Sequence, residues 1–407
     1  MNVSTPFSLS NGTTLKNRFF KAAMSEQLAD KNHNPTPEMY RLYHTWAKGG
    51  AGLIVTGNFM VDRTQLAEPK NVVLDDKSDF ELFQKWAQRS SADGAQTWVQ
   101  LNHPGKQSPS FVSREPVAPS AIPLEGSLQN TFKTPRALKD DEISKIVKQF
   151  AKSALLAKKA GFSGVQIHGA HGYLVSQFLS ARHNQRQDKW GGSLENRMRF
   201  MLSVYNAIRK QVGANFPVGI KLNSADFVSG GFTEEESMQV VKKLSAVGID
   251  LIEISGGSYE VTAMADGVKQ KDSTIKREAY FLEYAEKARK LTDVAIVVTG
   301  GFRTAQGMNQ ALASGATDLI GLARPMTIDP SLPNKAIANE DYEISLRELT
   351  TGIKSLDKMV LLNMSWYEAQ IARIGKGKLP KPSLSEWVAT LRMVLNLGVF
   401  AFRKRRT

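Results

Sequence analysis

Three residues able to handle protons and carbonyl oxygens fall within six positions, in His168-Gly169-Ala170-His171-Gly172-Tyr173. Residues three apart in an extended strand face opposite sides. A strand that ends at His168 and then turns brings both imidazoles to one pocket. There the ring N–H groups can donate to a substrate oxygen, and the Tyr173 phenol can give a proton. The histidines also read as a metal pair or as ordinary structural residues. A metal pair needs further ligands, and none stands at an obvious spacing, so no metal site is expected. Lys221 closes Gly219-Ile220-Lys221-Leu222. A lysine there either holds negative charge or forms a Schiff base with a carbonyl substrate. Gln100 could make amide contacts with a planar heterocycle.

Two glycine-bearing turns carry phosphate chemistry: Thr299-Gly300-Gly301 and Gly321-Leu322-Ala323-Arg324-Pro325. Glycines let backbone N–H groups approach an oxyanion, a following helix N-terminus adds favourable field, and Arg324 offers a planar cation. The plainer reading is that these glycines only turn the chain.

Positioning these groups requires strands that end beside one another. Short apolar runs at 18–23, 52–56, 97–101, 164–168, 218–222, 251–255, 295–299 and 318–321 read as strands. Amphipathic stretches at 36–48, 78–92, 140–160, 193–212, 233–247, 278–291 and 304–314 read as helices. Thr36 is placed to cap the first of them, and Ser78 with Glu81 reads as a capping box for the second. About eight strand–helix units predict parallel pairing closed into a (β/α)8 TIM barrel, with a C-terminal helical extension. The expected division is a barrel over 1–340, a helical extension over 341–382 and a basic amphipathic tail over 383–407. Every candidate named above lies at the carboxyl end of a strand, where barrel active sites are built. The long connections 102–139 and 169–192 leave the same face. No dinucleotide-binding fingerprint follows the first strand.

Composition narrows the chemistry. The 407 residues include no cysteine, which removes disulfides, thiolate metal sites, iron–sulfur clusters and cysteine nucleophiles. The net charge of +14 invites a nucleic-acid reading. The basic residues lack aromatic interleaving, however, and some of the excess sits at Arg403, Lys404, Arg405 and Arg406, so no nucleic-acid partner is expected. No signal, transit or membrane-spanning segment is apparent, and a cytoplasmic protein is expected.

At this point the ordered motifs resemble the Old Yellow Enzyme family of flavin oxidoreductases, or ene-reductases. The resemblance rests on Leu15-Lys16-Asn17-Arg18, Ala22-Ala23-Met24, Gly52-Leu53-Ile54-Val55-Thr56, Gln100-Leu101-Asn102-His103-Pro104-Gly105, the His168–Tyr173 segment with Leu174, Trp190-Gly191-Gly192-Ser193-Leu194-Glu195-Asn196-Arg197, Gly300-Gly301 and Ala323-Arg324-Pro325. It implies FMN at the barrel mouth and NADH or NADPH as hydride donor. By position, the isoalloxazine would rest against Ala22, Ala23, Met24, Ser25 and Gly57. Gln100 would meet the pyrimidine edge, and Lys221 would sit near N1. Ser255, Gly300, Gly301, Ala323 and Arg324 would surround the phosphate or its approach. His168 and His171 would hold the carbonyl oxygen of an α,β-unsaturated substrate, and Tyr173 would deliver the proton. The chain departs from the family at Ala23, where Pro is frequent, and at Trp190, where Tyr is common. Ser25 replaces the family's Cys or Thr; its hydroxyl can still donate to flavin O4. Two readings stand against this: an aldolase-type barrel using Lys221, and a non-catalytic binding barrel. The resemblance fixes neither the substrate nor whether the protein forms a homo-oligomer.

Beyond Pro382 the chain has Trp387, Val388, Leu391, Val394, Leu395, Val399 and Phe402 at helical spacing, followed by the basic run. This segment reads either as a helix docked on the barrel or a second subunit, or as a helix lying on an anionic membrane surface.

Overall fold

The computed structural model describes residues 1–125, 132–257, 278–353 and 360–404. Eight strands form its centre: β1 (Phe19–Lys21), β2 (Leu53–Met60), β3 (Gln96–Asn102), β4 (Gly164–Gly169), β5 (Val218–Asn223), β6 (Leu251–Ser255), β7 (Ala295–Thr299) and β8 (Leu319–Leu322). Every neighbouring pair is parallel, and β1 pairs with both β8 and β2, so the sheet closes. All eight expected strands are present. β2 runs on to Met60, past the expected end at Thr56, because its ladder to β3 resumes after an irregularity between Val55 and Asn58.

Helices α1 (Pro37–Lys48), α2 (Phe80–Ser90), α3 (Asp140–Ala160), α4 (Leu194–Val212), α5 (Glu234–Val247), α6 (Leu282–Arg289) and α7 (Ala305–Ala313) surround the barrel. Ser193, Thr233 and Thr304 cap α4, α5 and α7 with their side chains. The expected capping box at Ser78 does not form. Asp79 is the N-cap of α2, while the Ser78 hydroxyl donates to the Val73 carbonyl and faces Asp75, so a local turn outcompetes the helix end. Nor does Thr36 cap α1 through its side chain; its hydroxyl donates to the Leu28 carbonyl. α6 is shorter than expected, starting at Leu282.

Alternate residues of each strand fill the barrel. Its lower part is apolar: Leu9, Leu15, Phe20, Leu53, Val55, Trp98, Leu251, Ala295, Val297 and Leu319 form one cluster. The Trp98 indole fits only because β4 and β5 carry glycine beside it. A Cβ on Gly164 would come within 2.5 Å of the ring nitrogen, and one on Gly219 within 2.9 Å of the ring. Two residues further up each strand the filling turns polar, at Gln100, Gln166, Lys221, Glu253 and Thr299. These groups satisfy one another. Gln100 Nε2 donates to Gln166 Oε1 at 2.7 Å, Gln166 Nε2 to Glu253 Oε2 at 2.8 Å, and Thr299 Oγ1 to Glu253 Oε1 at 2.8 Å. Lys221 Nζ lies 3.0 Å from Glu253. A paired, hydrogen-bonded layer is the form in which buried charge is tolerated.

After the barrel come α8 (Leu332–Ala338), α9 (Val360–Gly375) and α10 (Glu386–Lys404). α9 packs on α1, and α10 packs on α9. Their connection is fixed by Trp366 Nε1 donating to the Leu384 carbonyl at 2.8 Å and by Gln370 bonding the Lys381 backbone twice.

Candidate active site

The β4 strand ends at Gly169 and the chain turns sharply. His171 takes a left-handed backbone, φ 59°, followed by Gly172 at 76°. That conformation is costly for a residue with a Cβ and is held here by the surroundings: the His171 N–H donates to Asn223 Oδ1 at 3.1 Å, and its carbonyl accepts from Gln107 Nε2 at 2.9 Å. The turn brings the two imidazoles together, with ring centroids 5.2 Å apart, and sets the Tyr173 ring 4.7 Å from His168. His168 Nδ1 accepts from the Ala170 N–H at 3.4 Å, which leaves Nε2 as its donor. His171 Nε2 lies 2.6 Å from Ser255 Oγ. Burial, the other histidine and the Lys221 charge push His168 well below its ordinary value; burial and Lys221 take His171 down to about 3. Both rings are therefore neutral donors near pH 7 rather than cations.

A second part of the mouth is cationic. Arg303 stands close enough to Arg324 to feel its charge: burial and then Arg324 lower Arg303. Neither guanidinium forms an ion pair among the described residues; Arg324 lies 5.9 Å from the Tyr367 ring, and Arg303 donates to its neighbour's carbonyl. Gly300 and Gly301 have φ 104° and 99°, and a Cβ on Gly301 would fall 2.1 Å from the Glu278 carbonyl oxygen. Among the described residues the N–H groups of Gly301 and Ala323 meet no acceptor. The N-terminus of α7 is already answered: the Glu278 carboxylate accepts from the N–H groups of Arg303 and Thr304 at 3.0 and 2.9 Å. An external phosphate would therefore meet the glycine loop and the arginine pair, not that helix end.

A third part joins β1 to the C-terminal helices. Ser25 Oγ lies 2.6 Å from Glu68 Oε1 and 2.7 Å from Glu368 Oε1, and Gln27 Nε2 donates to Glu368 at 2.9 Å. A hydroxyl has one proton, so both contacts are hydrogen bonds only if one carboxyl carries another. Burial, reinforced by Glu368, pushes Glu68 up to about 8; burial raises Glu368 as well, while Arg392 opposes it. The pair therefore shares one extra proton, with the Ser25 hydroxyl bridging the two carboxyls.

The remaining expected residues are placed as follows. Ala22 is buried, and its N–H donates to the Leu322 carbonyl; Ala23 and Met24 are half-buried beyond it. The Gly57 N–H is held by the Tyr43 hydroxyl at 2.9 Å, and a Cβ there would meet the Met24 carbonyl at 2.6 Å. Tyr43 in turn donates to Glu26, whose carboxylate lies 4.0 Å from buried Lys21. Gln100 and Lys221 turn into the polar layer already described, and Ser255 bonds to His171 rather than to the arginines. Sequence reasoning missed Arg303, Glu68 and Glu368. Arg303 follows Gly300-Gly301 by two positions and could have been read with them.

The chain matches the model of the NADH:flavin oxidoreductase / NADH oxidase family over residues 2–342. It is 36% identical to NADH-dependent flavin oxidoreductase iliE of Hypocrea jecorina, over 85% of this chain and 91% of that protein. The chain belongs to this family. This flavin oxidoreductase is also 33% identical to a cinnamate reductase of Clostridium sporogenes, over 81% of this chain but 51% of the relative. Among solved structures it resembles the old yellow enzyme homologue from Zymomonas mobilis, with TM-score 0.72 and 28% identity over 84% of this chain and 95% of that one. It resembles 2-naphthoyl-CoA reductase with TM-score 0.77 and 29% identity, over 83% of this chain and 52% of the other. FMN and a nicotinamide are the cofactors of such an enzyme. The arginine pair and the open glycine loop fit the FMN phosphate, a dianion that relieves their repulsion.

Proposed function

We propose that this flavin oxidoreductase reduces the activated C=C bond of an α,β-unsaturated carbonyl compound. The observation that carries the reading is the pair of neutral imidazoles with a phenol against one of them. When bound, FMN supplies the hydride relay between NADH or NADPH and the acceptor. His168 and His171 donate hydrogen bonds to the substrate oxygen and stabilise the charge that develops on it. Their neutrality keeps the oxygen hydrogen-bonded rather than protonated outright. Tyr173 delivers a proton to Cα. Gly301, Arg303, Ala323 and Arg324 hold the cofactor's phosphate. The cinnamate reductase relative supports this substrate class, since cinnamate carries a C=C bond conjugated to a carboxylate. The Schiff-base reading of Lys221 has no support, because its amine is engaged by Glu253.

Stopped-flow measurement of the two half-reactions tests the proposal. His168→Ala or His171→Ala should slow enone reduction about 100-fold, the usual effect of losing one oxyanion donor. Tyr173→Phe should slow the same step by about 100-fold or more. Flavin reduction by NAD(P)H should change little in all three. Loss confined to flavin reduction would overturn the assignment.

A further inference from the structure

α10 has two unlike faces. Glu386 and Ala389 are buried where the helix meets the Leu362, Trp366 and Ala369 cluster, and Glu386 is paired with Arg347 at 3.0 Å. On the other side Trp387, Val388, Leu391, Val394 and Leu395 are 49–60% exposed. They make up five of the eleven large apolar side chains exposed among the described residues, so nearly half of that exposure is concentrated on one face of one helix. A stripe of this kind calls for an apolar partner.

Charge says which. From Trp387 to Thr407 there is no acidic residue, while Arg392, Arg403, Lys404, Arg405 and Arg406 give +5. Paired with the same segment of a second copy, it meets another +5 and no carboxylate. An anionic lipid surface offers both an apolar layer for the stripe and countercharge for the basic end. Among the described residues no helix is long and apolar enough to cross a membrane, so α10 could lie only in the surface plane. We infer that α10 docks this enzyme on anionic membranes, with its Trp387–Leu395 face inserted among the lipids and its basic end at the headgroups. The same C-terminal unit reaches the barrel mouth through Glu368, so the mouth is held one helix away from the docked face.

The test uses the full-length, FMN-loaded enzyme and vesicles of phosphatidylcholine, with or without about a third phosphatidylserine. The enzyme should sediment with the anionic vesicles and not with the neutral ones, and high salt should release it. Trp387 gives a local readout, because the other five tryptophans are buried. Acyl-chain bromolipids should quench its fluorescence, and Trp387→Phe should abolish that quenching. Leu391→Glu/Leu395→Glu should abolish sedimentation. Neutralising residues 403–406 with glutamine should weaken it by about 100-fold or more, each basic residue near the surface contributing several-fold. Melting temperature and FMN content should stay unchanged in these variants, and enone turnover in solution is independent of the outcome. Absence of binding, equal binding to both vesicle types, or a dimer that dissociates in the double glutamate variant would each overturn the inference.

Discussion

The most exacting perturbation is Glu368→Gln, because it removes one charge from a pair that shares a single hydroxyl. The Glu68 and Glu368 oxygens lie 2.6 and 2.7 Å from Ser25 Oγ, which puts them at most about 5 Å apart. Two full negative charges at ~5 Å repel by about 3 kcal/mol at an effective dielectric of ~20. Burial and this repulsion hold Glu68 protonated up to about pH 8. In the unfolded chain a glutamate releases its proton near pH 4.3. The folded protein therefore binds the extra proton, and its stability falls as pH climbs from about 4.3 to 8, then levels off. In the Glu368→Gln variant the repulsion is gone, the Glu68 carboxyl ionises at lower pH, and less is lost on the alkaline side. The variant should lie close to wild type at pH 6 and be about 2–3 kcal/mol more stable relative to it at pH 9. Urea unfolding of the FMN-free protein at several pH values measures this directly. Stability curves that stay parallel from pH 6 to 9 would refute the shared-proton reasoning.

Arg324→Ala should lose a charge-assisted phosphate contact worth roughly 1.5–3 kcal/mol, weakening FMN binding about 10- to 150-fold by equilibrium dialysis. The FMN-free variant should be no less stable than wild type, because Arg303 loses a like charge beside it; unchanged FMN affinity would remove Arg324 from the site. His103 supplies an acid-side prediction. Its Nδ1 accepts from the Gly105 N–H, and burial lowers it to about 4. A histidine kept neutral in the fold contributes fully above about pH 6.5, and its contribution fades as pH falls to about 4. Roughly 3 kcal/mol of stability should disappear over that window, and His103→Asn should flatten the loss.

The barrel was legible because each strand is a short apolar run ended by a turn, and because amphipathic stretches at helical spacing alternate with those runs. The Thr233–Glu236 box formed, while the similar Ser78–Glu81 spacing did not. There Asp75 and the Val73 carbonyl compete for the Ser78 hydroxyl, and no propensity rule ranks that turn against a helix cap. His168, His171 and Tyr173 could be read together because one local turn gathers them. Gln100 and Ser255 were legible as residues near strand ends but not as to their partners. Gln166 and Glu253, which determine where the Gln100 amide goes, lie on other strands, and only closure of the barrel sets their height. Glu368 is the extreme case: it meets Ser25 across 343 positions, from a helix that appeared in sequence only as an appendage.

The two like-charge pairs at the mouth have different remedies, and that difference separates cofactor site from protein framework. Elsewhere the buried charges are matched within the chain: Lys221 by Glu253, Lys21 by Glu26, Arg197 by Glu236. Arg303 with Arg324, and Glu68 with Glu368, are matched by neither sequence neighbour nor ion pair among the described residues. Both border α9, the first through Tyr367 and the second through Glu368 itself. A carboxyl pair can relieve itself by binding a proton, so the Glu68–Ser25–Glu368 chain is complete without a ligand. A guanidinium cannot shed its charge at any pH a protein survives. Within the chain Glu278 offsets only part of the charge on Arg303, so the pair invites an anion from outside, and the N–H groups of Gly301 and Ala323, which meet no acceptor among the described residues, mark the proposed phosphate site. That asymmetry is why the phosphate site can be argued from charge alone, while the role of Ser25 toward the flavin depends on which way its single proton points.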